Sequence, residues 1–186
     1  LEMVQEEVRE RAKGSFLEGK PILAVSAYTG DGIAELKQAL YTLVHVAAEK
    51  SVRVPFRLPV DRVFSVDGFG TVVTGTLIEG CINEGDAAEL VPSGSETRIR
   101  NLQVHGSTVH TAYAGQRVAI NLSNVKKKEI KRGCVLAPLN SMKNTDLLDV
   151  KLNVLDSSVR ILTNHTRLHF FTGTSEVPVS YTHLRA

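Results

Sequence analysis

From Val52 onward the sequence is a succession of short β-branched runs, LPVDRVFSV, GTVVTGTLI, DAAELV, TRIRNLQV and QRVAINL, separated by glycine, proline, asparagine and aspartate. Runs this short and this rich in Val, Ile and Thr do not make packed helices. Turn residues at such close intervals leave an antiparallel barrel or sandwich as the fold. Inside this region, FSVDGFGTVVTGTLIEG at 64–80 brings Gly68, Gly70, Gly75 and Gly80 together. A dinucleotide loop needs G-x-G-x-x-G between a strand and a helix, whereas this stretch has the wrong spacing and runs on into another strand. Asp67-Gly68-Phe69-Gly70 formally fits D-x-x-G, but VDGFG reads as a hairpin turn whose glycines supply positive φ. Gly75 marks a bulge or a close backbone approach.

The first part of the chain has a different texture. Residues 2–13 carry Glu and Arg at helical spacing, with Val4, Val8 and Ala12 on one face, the pattern of an amphipathic helix. Residues 22–25 form a continuous apolar run, expected as a strand buried on both faces, and a glycine turn leads into a helix over 33–43. Residues 1–48 therefore read as the end of an α/β domain, 49–55 as a linker and 56–139 as a β-barrel. A further β segment is expected over 146–177, beginning with DVKLNVL and continuing through RLHFFTG. The last residues, 178–186, abandon the strand pattern and read as an artefactual tail resembling a translated adapter. The chain opens on Leu1 within a charged helical pattern, so it reads as a fragment.

Composition excludes several classes. A net charge of +2 is too mild to demand a polyanionic partner, although the run VKKKEIKR at 125–132 could meet RNA phosphates as readily as solvent. Cys81 and Cys134 form no CxxC pair and read as small buried hydrophobes in a reducing, cytoplasmic setting. No apolar run reaches the ~20 residues that span a bilayer, so no membrane partner is expected. His165 and His169 lack the helical context of a zinc motif, and no metal site is expected. His105 and His110 flank a turn and read as surface or packing residues.

Two stretches, taken together, resemble the translational GTPases. SAYTGDGI at 26–33 is similar to their last guanine-binding element, and PVDRVFSVDGFGTVVTGTLIEGCINEGD at 59–86 is similar to the opening strands of the elongation-factor-Tu-type second domain. RIRNLQVHGSTVHTAYAGQRVAINL with IKRGCVLA most closely resembles the selenocysteine-specific branch of that superfamily, and TRLHFFTGTSEV looks like the opening of its third domain. The resemblance covers nearly all of residues 1–177. It implies a mainly β fold with an N-terminal α/β remnant, a second-domain β-barrel and the start of a third-domain β-barrel.

The same resemblance implies the site residues. Ser26 and Ala27 match the Ser-Ala pair whose backbone N–H groups meet the guanine carbonyl. Asp61, Arg62 and Arg117 match an Asp-Arg pair and a further Arg that line the pocket for the aminoacyl end. A selenol is more acidic than a thiol, so selenocysteine is largely an anion near neutral pH, while serine and cysteine are mostly uncharged. Fixed guanidinium groups would discriminate on that difference, with Arg62 and Arg117 facing the selenolate and Asp61 orienting them or accepting from the α-amino group. In QRVAINL, Arg117 leaves the core face by strand parity. Strict alternation instead puts Arg62 beside Val60, Phe64 and Val66, so either a bulge re-aims it or the pocket opens through that face.

The parent implied is a GTPase that uses GTP and Mg²⁺ to deliver selenocysteyl-tRNA to the ribosome, meeting the selenoprotein mRNA hairpin through C-terminal domains. This chain contains neither G-x-x-x-x-G-K-[ST] nor N-K-x-D, so it is expected to hold no cofactor and to hydrolyse no GTP alone. The competing readings are another translational GTPase, an elongation factor Tu or initiation factor relative, and a barrel used only for protein or ribosome contact.

Overall fold

The computed structural model describes residues 1–48, 50–154 and 162–180. The chain divides into two compact units, Leu1–Glu49 and Lys50–Ala186.

The first unit contains α1 (Glu2–Ala12) and α2 (Ile33–Val46). On α1, Arg9 pairs with Glu6 at 2.9 Å and Arg11 with Glu7 at 3.5 Å, one helical turn apart. Gly32 caps α2 at φ 71°, and a Cβ there would lie 2.1 Å from the Ala24 carbonyl oxygen. Only glycine fits that approach. The strand expected over 22–25 is not formed: these residues carry no ladder, and Leu23 and Val25 are exposed. A buried parallel strand requires neighbours on both sides, and the described residues of this unit contain no other strand.

In the second unit β1 (Leu58–Val66), β2 (Gly70–Thr76), β4 (Ala87–Val91), β5 (Ser95–Val104), β8 (Arg117–Leu122) and β9 (Val135–Ala137) pair in the order β4-β9-β1-β2-β8-β5. Pairing of β4 with β5 closes the ring into a six-stranded barrel. β6 (Ser107–Val109) extends β5, while β3 (Cys81–Asn83) and β7 (Thr111–Tyr113) form a separate pair. Alternate residues point inward, as the pleat requires. Leu58, Val73, Leu90, Leu102, Ile120 and Leu136 are fully buried in one core. Cys134 joins that core and Cys81 is half-buried.

The β1–β2 turn is the hairpin expected from VDGFG, with Gly68 and Gly70 at φ 79° and 87° and the Phe69 N–H donating to the Val66 carbonyl at 3.0 Å. Gly75 lies opposite Val60, where a Cβ would come within 2.3 Å of the Pro59 carbonyl oxygen. Both readings of Gly75 are realised: the approach is close, and it lies beside a register shift in β1.

Residues 147–154 contain no strand, although DVKLNVL alternates as one would, and Leu155 lies outside the described residues. The third β segment is, among the described residues, a single hairpin of β10 (Arg167–Thr172) and β11 (Ser175–Ser180). It does not build a third barrel. β11 continues through Pro178 to Ser180, so three residues assigned to the tail pair with β10, and the tail from 181 onward lies outside the described residues. Among the described residues no helix is long and apolar enough to cross a membrane.

Candidate functional site

The outer face of β1, β2 and β8 gathers three of the residues singled out in the sequence. β1 and β2 slip register between Val60 and Arg62, so Asp61 is the extra residue of a bulge. The bulge resets strand parity: Val60 is fully buried and Val63 packs on the core, while Arg62 is exposed. Of the two possibilities left open for Arg62, the bulge is the one realised. Phe64 and Val66 share the outer face with Arg62 and are partly exposed on it.

Arg117 leaves the core side of β8 as parity requires, beside the buried Val118. Its guanidinium meets the Asp61 carboxylate through two parallel bonds, Nη1 to Oδ2 at 2.5 Å and Nη2 to Oδ1 at 2.9 Å. Thr74 on β2 completes the group: its hydroxyl donates to Asp61 Oδ1 at 2.8 Å and receives a long bond from Arg117 Nη2 at 3.5 Å. The Arg117 bond is the main cause holding the Asp61 carboxyl below its ordinary value; partial burial opposes it, and Thr74, the Arg117 charge and the Arg62 charge add to it in that order. The same contact raises Arg117. Arg62 lies opposite Thr74, on the same face as Arg117, and takes part in no ion pair among the described residues. One carboxylate and two guanidiniums leave the face one positive charge in surplus.

Because the folded carboxyl is depressed, Asp61 stabilises the fold fully above the ordinary aspartate value of about 3.9. That contribution is lost as pH falls through the lower folded value. Asp61→Asn is expected to cost on the order of 1 kcal/mol at neutral pH, since the pair is partly open to solvent. Denaturant unfolding near pH 7, 5 and 3 checks this: the gap between the two proteins should stay constant down to about pH 5 and shrink below about pH 4.

Thr74 was not anticipated from the sequence. Its signal was there, in an outward hydroxyl between Val73 and Gly75 opposite a polar Asp-Arg pair. Asn121, buried on the same face of β8, was also missed: its Nδ2 donates to the Phe69 carbonyl at 2.8 Å, and its Oδ1 has no partner among the described residues.

Ser26 and Ala27 lie in the first unit and are described by themselves. The Ser26 N–H donates to the Asp31 carbonyl at 3.0 Å and its carbonyl accepts from Gly30 at 2.9 Å, closing the loop before α2. Of the two backbone donors that the resemblance implied, the Ser26 N–H is engaged within the loop and the Ala27 N–H is unpaired among the described residues.

The basic run becomes a 3₁₀ turn at Lys127–Glu129. With Arg100, Ser65, Phe69 and Asn124, Lys126 and Lys127 line a hollow of about 440 Å³ beside the β1–β2 turn. His110 pairs with Glu84 and His169 with Glu176 at the surface. Among the described residues no cluster could hold a metal ion.

The family model for elongation factor Tu domain 2 matches residues 70–137, most of the closed barrel. The chain is 45% identical over 177 residues to a selenocysteine-specific elongation factor of Desulfomicrobium baculatum, a match that covers 95% of this chain and 28% of that protein. The structure of a bacterial selenocysteine-specific elongation factor, EF-Sec, superposes with a TM-score of 0.84 at 32% identity, covering 96% of this chain and 30% of that one. Apo elongation factor SelB of Methanococcus maripaludis superposes with a TM-score of 0.78 at 30% identity, covering 96% and 38%. The chain thus spans roughly a third of the proteins it matches. With sequence and structural similarity running across nearly its whole length, the chain is homologous to the selenocysteine-specific elongation factors, and its barrel corresponds to domain 2 of elongation factor Tu.

Proposed function

We propose that the outer face of the barrel binds the aminoacyl end of selenocysteyl-tRNA and selects it by charge, as part of a GTP-dependent factor that delivers this tRNA to the ribosome. The observation that carries the reading is the Asp61–Arg117 clasp with Arg62 on the same face, which leaves a net positive charge beside polar donors. Two bonds to Asp61 use part of Arg117's five-donor fork, and the remaining donors together with Arg62 can meet a selenolate. Asp61, with both oxygens already engaged, acts as the orienting group.

The other parts of the reading concern the parent. Ala27, with Ser26 shaping its loop, would contribute one backbone donor to guanine; GTP and Mg²⁺ would supply the switch, held by motifs this chain does not contain. The β10–β11 hairpin would open the third domain. Contact with a selenoprotein mRNA hairpin would fall to other domains, and the setting would be cytoplasmic.

Binding of this chain to selenocysteyl-, seryl- and uncharged tRNA tests the reading. A preference for the selenocysteyl form supports it; equal binding of the first two points to a general translation-factor barrel, and no binding of any by the folded chain points to a barrel for protein or ribosome contact. Lys126, Lys127 and Arg100 would add contacts to RNA phosphates. Replacing both lysines with alanine is expected to reduce the slope of log affinity against log salt by roughly 1–2, and an unchanged slope would remove them from the interface.

A further inference from the structure

The C-terminal hairpin meets the barrel immediately behind the bulge that presents Asp61. The Thr174 hydroxyl donates to the Val60 carbonyl at 2.7 Å. The same oxygen accepts from the Gly133 N–H at 3.1 Å, and the Val60 N–H donates to the Cys134 carbonyl at 2.8 Å. Both acceptor positions of the Val60 oxygen are thereby used. The fit is close on either side: a Cβ on Gly173 would lie 3.1 Å from the Pro59 ring, and one on Gly133 would lie 2.9 Å from Ser175.

The Val60 carbonyl and the Asp61 nitrogen belong to one planar peptide, so fixing the oxygen fixes the plane from which the Asp61 side chain departs. A bulge residue is the place in a strand where the ladder restrains the backbone least, and an outside contact there has the most to contribute. The two bonds from Asp61 to Arg117 need the carboxylate in the plane of the guanidinium fork. We propose that Thr174 is a positioning residue for the Asp61–Arg117 clasp, acting through the Val60 carbonyl and coupling the C-terminal hairpin to the outer face of the barrel. Its consequence for aminoacyl binding rests on the function proposed above.

The test uses the 186-residue chain with Thr174→Val, which keeps the shape and removes the hydroxyl, Thr174→Ala as a second variant without it, and Thr174→Ser, which keeps it. Two readouts are taken: the titration of the Asp61 carboxyl by carbon-detected NMR, and affinity for selenocysteyl-tRNA. The groups facing Asp61 are Arg117 on β8, Thr74 on β2 and Arg62 on its own strand, and all three remain in every variant. In the valine and alanine variants Asp61 is expected to titrate closer to an ordinary aspartate and selenocysteyl-tRNA to bind roughly threefold more weakly, the scale of one lost neutral hydrogen bond. The serine variant should restore both. Unchanged Asp61 titration in the valine and alanine variants overturns the proposal, as does an equal shift in the serine variant. A shift in titration without any change in tRNA affinity upholds the positioning role and counts instead against the aminoacyl site.

Discussion

Arg117→Ala is expected to erase the preference for selenocysteyl-tRNA over seryl-tRNA. The wild-type guanidinium offers the selenolate a fixed cation, and it also neutralises Asp61, which lies within 2.5 Å of it. Alanine removes the first and exposes the second, so the anionic side chain would face a bare carboxylate at the same spot. A hydrogen bond to a charged group contributes about 1.5–3 kcal/mol, and the partly solvated guanidinium places this one at the lower end, about tenfold in affinity. Seryl-tRNA, whose hydroxyl carries no charge, should change by less than about twofold. Arg117→Lys should lie between, because an ammonium keeps the charge and loses the planar fork. Equilibrium binding of both aminoacyl-tRNAs to the three proteins decides it. If the alanine variant still prefers the selenocysteyl form to the wild-type degree, charge selection at this face is wrong.

The second large effect concerns stability. Gly75→Ala would place a methyl 2.3 Å from the Pro59 carbonyl oxygen and 2.8 Å from Leu58 Cδ2. Neither can yield cheaply: Leu58 is fully buried, and the carbonyl belongs to the strand paired with both β2 and β9. Separating β1 from β2 at the bulge should cost about 3 kcal/mol or more, a fall in Tm of roughly 10 °C for a unit of this size. Gly68→Ala is the control. It has positive φ and nothing within 4 Å of the new Cβ, so it should cost only about 1–2 kcal/mol. Thermal unfolding of the two variants separates steric exclusion from backbone preference; equal losses would contradict the close approach at Gly75.

The barrel was legible because its strands carry their own punctuation. VDGFG, the glycines at 80 and 85 and the alternation of QRVAINL each specify a turn or a face locally, and the pairing follows from short connections. The expected strands at 22–25 and 147–154 failed for the opposite reason. An apolar or alternating run is compatible with a strand, but it becomes one only against a partner, and the described residues supply none. At the site, which the resemblance implied, the outward direction of Arg117 followed from parity, whereas that of Arg62 did not, because one inserted residue inverts every side chain after it. An acidic-basic pair inside an apolar strand was the only hint of that insertion. Thr74 and Thr174 could not be ranked from sequence, since a hydroxyl's importance depends on which backbone or carboxylate oxygen the fold brings to it.

The closure of the ring has one more consequence. Its first and last strands are neighbours, with Leu58 beside Leu136 and Pro59 beside Val135, so the two ends of the barrel segment emerge side by side on one rim. A segment with that property can be transplanted into a host loop or rewired by circular permutation, with new termini opened at the 67–69 turn, without uncoupling any pair of strands in the ring.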